Sequence, residues 1–351
     1  MIEKIKNISQ KNKEPNWLFN FRKENWRLFE SLELPKDDEW RYTDLSITNF
    51  SHIQPSSSLN IKTKNCLEEK DPNSIKDYLF LAKNKFEALN NAIFSEPKII
   101  LAKNNAKINI EFSKTNFTKI FIFVEDQAEI NFSLNSSGFN IIQTFLIIKG
   151  QATVNVLDNS EKDAVIINEF FADIKNNAKL NYNFGLFGGL INRLKIESQI
   201  SLNAENKIKG MFFGNEKQHY NIVTNAIHLE EASVNDILVK GALNDYATSS
   251  YFGSIVINKK AQKADSYLAD HVLLLSENAK ANSIPSLKID ANDVKATHGA
   301  TISQLDEEQI FYLLSRGLNK KEAESLIVQA FFNDVKINNQ DAQKIIAAKI
   351  S

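Results

Sequence analysis

Five histidines and a single cysteine are the side chains of this 351-residue chain best suited to metal chemistry. His298 is the best placed of them. It lies in Asp293-Val-Lys-Ala-Thr-His-Gly-Ala-Thr301, an alternating segment in which Val294, Ala296, His298 and Ala300 share one face. Small alanines on either side leave room around the ring, and neutral imidazole ligates transition metals well. The same pattern also describes a half-buried structural histidine bonded to backbone, and the residues alone leave both readings open. His219 and His228 are weaker metal candidates that depend on strand-to-strand placement. His271 and His52 carry no signal of this kind.

The motifs of common enzymes are missing from the sequence. It has no Gly-x-x-x-x-Gly-Lys-Ser/Thr loop for ATP, no Gly-x-Gly-x-x-Gly, no Cys-x-x-Cys, no His-Glu-x-x-His and no Gly-x-Ser-x-Gly elbow. An iron–sulfur cluster takes four thiolate-type ligands, and Cys66 is the only cysteine. Any cluster carried here would be held mainly by thiolates from elsewhere. With 42 basic and 43 acidic residues the chain has no charge excess to attract nucleic acid or an anionic membrane. No apolar run is long enough to span a bilayer. The first residues lack the apolar core of a signal peptide, so a cytoplasmic location is expected.

These residues must be positioned by a repeat. Ala106-Lys-Ile-Asn-Ile110, Ala128-Glu-Ile-Asn-Phe132, Ala152-Thr-Val-Asn-Val156 and Ala178-Lys-Leu-Asn-Tyr182 share the form Ala-x-apolar-Asn-apolar. Looser copies begin at Ala204, Ala232, Ala261 and Ala279, and the successive spacings are 22, 24, 26, 26, 28, 29 and 18 residues. Repetition on this scale marks a solenoid. Apolar residues at alternate positions make each copy a strand, so the expectation is a parallel β-helix of eight coils that lengthen toward the C-terminus. The repeated Asn side chains either stack in ladders or face water, and solvent exposure is the simpler reading.

Helical spacing appears at both ends. Residues 15–33 place Trp17, Phe21, Trp26 and Phe29 on a helix closed by Pro35, and residues 51–73 read as irregular. Ser74 is the expected cap of a helix running to about Asn91, with Ile75, Leu79, Ala82, Phe86 and Leu89 on one side. After the repeats, Asp306 caps a helix striped with Ile310, Phe311, Leu313 and Leu314, which Gly317 ends at the C′ position. Asn319-Lys-Lys-Glu322 is a capping-box variant opening a second helix that buries Leu326, Ile327, Ala330 and Phe331. A third helix near 340–350 turns Ile345 and Ile346 inward. The expected organisation is a helical region over 1–96, a β-helix over 97–302 and a helical docking region over 303–351. The flanks would cover the open coil ends, whose unpaired backbone groups invite aggregation.

Several stretches resemble the SufD family of the SUF iron–sulfur cluster assembly system. Glu39-Trp-Arg-Tyr-Thr-Asp-Leu45 is similar to its Trp-Arg-Tyr-Thr signature, and Phe86-Glu-Ala-Leu-Asn-Asn-Ala92 to its Phe-x-x-Leu-Asn-x-Ala segment. Lys240-Gly-Ala-Leu243, Phe252-Gly-Ser-Ile-Val256 and Leu273-Leu-Leu-Ser276 follow in the family's order. The densest likeness is Asp293 to Thr301 with Leu305-Asp-Glu-Glu308 and Phe311-Tyr-Leu-Leu-Ser-Arg-Gly317. The resemblance implies a mainly β fold, a right-handed parallel β-helix between helical regions. It implies a non-enzymatic scaffold subunit that pairs with the paralogous SufB and binds the ATPase SufC through its C-terminal helices. Phe311, Arg316, Gly317 and Phe331 are the residues assigned to that docking. His298 falls on the family's histidine, implicated in iron or cluster handling at an interface where SufB contributes a cysteine. The iron or cluster would be transient and shared with the partner. A flavin is a further cofactor that no residue here singles out, and the isolated chain is open to pairing with itself. Three features depart from the family pattern: Ala296 stands where many relatives have Cys, Leu268, Asp270 and Val272 replace Gln and Asn residues common in relatives, and the N-terminal region is short.

Two other functions fit a β-helix. A carbohydrate-active enzyme would need paired carboxylates in a groove, but the odd spacing of Asp290 and Asp293 puts them on opposite faces of one strand. A purely structural adaptor would differ from the scaffold only in giving His298 no metal role.

Overall fold

The alternating segments become strands, two to a turn. The computed structural model describes residues 2–48, 50, 57–335, 344–345 and 348–349. Its sixteen strands form one continuous sheet wound as a parallel solenoid of about seven turns. One face stacks β2 (Lys98–Lys114), β4 (Gln127–Ser136), β6 (Gln151–Asp158), β8 (Lys179–Leu186), β10 (Glu205–Gly214), β12 (Val234–Leu243), β14 (Asp265–Leu274) and β16 (Lys295–Gln304). The other stacks β3 (Phe117–Val124), β5 (Phe139–Ile148), β7 (Val165–Ile174), β9 (Ile191–Ile200), β11 (His219–His228), β13 (Thr248–Ile257) and β15 (Lys280–Ile289). Neighbours within each face run parallel, and β2 pairs with both β3 and β4, joining the faces.

Inward-facing residues stack turn upon turn into columns. Ile108, Ile130, Val154, Tyr182, Ile208, Ile237 and Leu268 succeed one another in register and are all buried. Large residues meet glycines in register at two places. The Phe184 ring lies over Gly210 and the Phe212 ring over Gly241, each where any Cβ would collide with the ring.

The register corrects the repeat as read from the sequence. In-register partners on successive turns are 22, 24, 28, 26, 29, 31 and 30 residues apart along the β2–β16 face. Ala152 lies opposite Leu180 rather than Ala178. Val234 follows Glu205, so Ser233 and not Ala232 takes the repeat position; Ala232 is a left-handed turn residue with φ of 54°. Ala279 precedes β15 and belongs to the other face; eight strands on one face and seven on the other make about seven turns. Alanine is as useful in a turn as in a strand, which is why its spacing misleads.

The repeated asparagines stack. Asn131 donates to Asn109 at 3.0 Å, Asn155 to Asn131 at 2.9 Å and Asn183 to Asn155 at 3.0 Å. Each amide meets its counterpart one turn away at the inter-strand spacing, so a ladder forms where exposure to water was the simpler expectation. A second, buried run passes from Asn206 to Asn235 to Ser266.

The two ends of the solenoid are finished differently. At the first turn, β1 (Leu59–Glu69) pairs antiparallel with β2, so the segment expected to be irregular is a strand from Leu59. It turns the corner at Asn65, whose side chain donates to the Asn104 carbonyl at 2.9 Å, where both chains use left-handed residues. The single helix expected from Ser74 is two shorter pieces. A 3-10 turn over Pro72–Tyr78 is capped by Asp71, and α3 (Lys85–Ile93) is capped by Asn84, which accepts from the Phe86 and Glu87 amides. Together with α1 (Ile2–Lys11) and α2 (Asn16–Ser31), α3 lies on the β3–β5–β7 face. Trp26, Phe29, Trp40, Phe86 and Leu89 pack there against Phe117, Ile141 and Ile167. Arg193 clamps the connection. Its guanidinium is 3.8 Å over the Trp40 ring, 2.9 Å from the Glu39 carboxylate, and bonded to the Glu39 carbonyl and to Asn221.

Among the described residues, the helices after β16 do not roof the last turn. α4 (Glu307–Ser315) has the expected Asp306 cap and buries none of its residues. Gly317, with φ of 94°, ends it in a Schellman arrangement. α5 (Lys320–Phe331) has the capping box but is rotated from the expected face. Ala323, Ile327, Val328 and Phe331 turn inward, while Leu326 and Ala330 are exposed. Its buried side sits on Met211, Phe213, Ala242 and Leu273, along the flank of the solenoid rather than across its end. Ile345 is partly buried against the same cluster, and Ile346 lies outside the described residues.

Candidate functional site

The last turn is open. Among the described residues no strand pairs with the outer edges of β15 and β16. Ile302 and Leu287 line the inner wall of this turn and are exposed, because no further coil covers them.

His298 stands on that rim. It pairs in register with Leu268, and so is the eighth member of the inward column that starts at Ile108. The seven residues below it are buried, whereas His298 is exposed. The column places an imidazole where every earlier turn has an apolar side chain, facing the bore at its mouth. Val294 and Ala296 precede it on the same face and pack against the core.

Beneath the rim lies a group with no counterpart among the candidates named from the sequence. Asp270 continues the column Ile110, Phe132, Val156, Phe184, Gly210 and Val239, and Ala300 follows it. It is 0% exposed and carries no ion pair among the described residues, and Ser283 is the hydrogen-bonding side chain that bears on its carboxyl. Burial pushes its pKa up to about 7, with the nearby Ser283 hydroxyl opposing the shift. Across the bore, the Tyr251 hydroxyl is satisfied by Thr224 at 2.6 Å. A carboxylate at an inward position of Leu268-Ala-Asp-His-Val272 is the sequence signal that marks it.

The structure does not bring His219 and His228 together. They occupy opposite ends of β11 and point to opposite sides of it. His219 is held between Thr43 at 3.1 Å and Thr248 at 2.8 Å, under the N-terminal region. His228 faces the interior and contacts the Ser233 hydroxyl at 2.8 Å. Burial lowers the pKa of both rings to about 4, against opposing charges on Asp44 and Asp265 respectively. His271 lies on the outer side of β14, 2.6 Å from the Thr301 hydroxyl. Among the described residues no three His, Cys, Asp or Glu side chains converge into a metal-binding group.

The four docking candidates fall in two environments. Phe311 is 73% exposed, and Tyr312, Leu314 and Leu326 on α4 and α5 are exposed as well. Arg316 stacks over Tyr312 at 5.1 Å, and Gly317 shapes the turn between the helices. Phe331 is already engaged: Lys240 donates to its carbonyl at 2.8 Å, lies 5.0 Å over its ring and pairs with Asp334 at 2.8 Å.

Comparison with known proteins agrees with this architecture. Residues 101–331 match the family model described as "SUF system FeS cluster assembly, SufBD core domain". The iron–sulfur cluster assembly protein SufD of Bacillus subtilis is 27% identical over 95% of this chain and 92% of its own length. A SufBD family protein of Synechocystis is 24% identical over 88% of the chain and 72% of its own length. The Escherichia coli SufD is 39% identical over a shorter stretch, 27% of the chain and 22% of its own length. No helix among the described residues is long and apolar enough to cross a membrane. A family match over most of the chain, centred on the solenoid whose last turn presents His298, makes this chain a member of the SufBD family of iron–sulfur cluster assembly proteins.

Proposed function

We propose that the chain is a non-catalytic scaffold subunit that completes its open coil with a SufB-like paralogue. The observation that carries this reading is the uncovered last turn, with its unpaired strand edges and its rim histidine. A partner strand on these edges would satisfy their backbone groups, and the partner would supply the thiolates this chain lacks. In this reading residues 1–96 brace the solenoid, 97–302 present the rim and 303–351 dock a SufC-like ATPase through the exposed face around Phe311. Iron or a nascent cluster is cargo, held at the interface with His298 as one ligand. The complex works in the cytoplasm, and without its partner the same edge is free to pair with a second copy of the chain.

Co-expression with a SufB-like and a SufC-like chain tests this. A stable complex through gel filtration is expected, and Phe311→Asp should release the ATPase while the paralogue is retained. His298→Ala should leave the complex intact and lower its iron content severalfold. Unchanged iron would return His298 to a structural role.

A further inference from the structure

We infer that Asp270 is the inner ligand of a divalent metal ion at the floor of the open turn, with His298 as the ligand above it. This deepens the scaffold reading and rests on it, since it names what the rim of that site would hold.

The geometry comes from two adjacent columns. Asp270 pairs with Ala300, and His298 pairs with Leu268, so the two side chains are diagonal neighbours on the inward face of adjacent strands. Parallel strands about 4.8 Å apart, with about 3.3 Å per residue, put their Cα atoms roughly 8 Å apart. A carboxylate and an imidazole at that separation can reach one ion between them. Ala300 sits over the carboxylate and Ala296 flanks the ring on its other side, so neither position blocks the space with a bulky side chain.

The environment points to a cation. A buried carboxylate is ordinarily paired, hydrogen-bonded or on a metal. Among the described residues Asp270 has no opposite charge paired with it and only the Ser283 hydroxyl bearing on its carboxyl, and in its column it follows six residues that are all apolar or glycine. An unpartnered carboxyl costs stability without any return from packing. Only β16 lies above it, and Ala300, which covers the carboxyl there, is small and exposed, so a single methyl group separates the carboxyl from the mouth of the bore. One carboxylate oxygen, one imidazole nitrogen and the Ser283 hydroxyl beside the carboxyl form a mixed oxygen–nitrogen set, with remaining positions left to water or to a partner's thiolate. Such donors suit ferrous iron and its spectroscopic substitute cobalt(II). They do not suit a complete cluster, so the site would receive single ions.

Anaerobic titration of the 351-residue chain with cobalt(II) tests the inference, read by visible d–d absorption and by calorimetry. One cobalt per chain at micromolar concentration is expected. Asp270→Asn and His298→Ala should each weaken binding at least tenfold, whereas Asp290→Asn on the exposed outer surface should leave it unchanged. Asp270→Asn should melt at least as high as the parent chain, because it removes an unpaired buried carboxyl, so lost binding would not reflect unfolding. Parent-like cobalt binding by Asp270→Asn, or none by the parent, overturns the inference. Assembly with the paralogue is scored separately by gel filtration. A failed complex with intact cobalt binding would refute the scaffold reading alone.

Discussion

Protonation separates the histidines of this chain by role. His219 and His228 titrate near pH 4 in the folded chain against about 6.5 for an ordinary ring. Between those values the unfolded chain binds more protons, so each ring withdraws stability as the pH falls through that window. Asp270 acts in the opposite sense, because its raised pKa leaves the folded chain holding the extra proton up to about pH 7. The readout is therefore the difference between variant and parent. His219→Gln, which keeps a hydrogen-bonding group near Thr43 and Thr248, should gain on the parent between pH 6.5 and 4. A shift of this size corresponds to up to roughly 3 kcal/mol, measured by denaturant unfolding at each pH. A gap that does not widen on acidification would mean that His219 is not held neutral. The alternation around His298 was legible from residues alone, including the face it shares with Val294, Ala296 and Ala300. Its exposure was not, because that depends on whether another turn lies above it.

At the scale of elements, register decides which of two similar residues matters. Asn181 occupies the repeat position suggested by spacing, yet it is exposed and the ladder runs through Asn183. Asn155 both donates to Asn131 and accepts from Asn183. Asn155→Ala should cost about 1–2 kcal/mol by removing two hydrogen bonds. Asn181→Ala should stay within about 0.5 kcal/mol. Equal effects in urea unfolding would place the ladder elsewhere. The caps of α4 and α5 were readable because a cap is a local hydrogen bond. The helix expected from Ser74 was not, because Asp71 and Asn84 compete for the backbone amides and win two short elements.

Across the whole molecule, a buried polar clamp adds to the apolar packing that joins the N-terminal region to the solenoid. Arg193 is buried between Trp40, Glu39 and Asn221, and the neighbouring Lys195 also pairs with Glu39 at 3.1 Å. Burial lowers the Arg193 pKa while Glu39 opposes that shift; the Glu39 carboxylate is held below its usual range by Lys195 and Arg193 against the cost of burial. Arg193→Ala leaves that carboxylate half-matched and empties the stack on Trp40. A loss of roughly 3 kcal/mol is expected, together with early proteolytic cleavage in the first 95 residues while the solenoid persists. Uniform cleavage along the chain would show that the regions do not separate this way.

By itself the sequence determined the parallel solenoid, the helix caps at its C-terminal side and the face on which His298 lies. Each follows from the period of a local pattern or from one short-range hydrogen bond. Only the tertiary structure decided the register of the turns, the strand that finishes the first turn and the bare rim of the last. It also decided the isolation of Asp270. Those depend on which residues meet at separations of 22 to 31 positions, and loop length between strands can change by two residues without altering the alternation inside them.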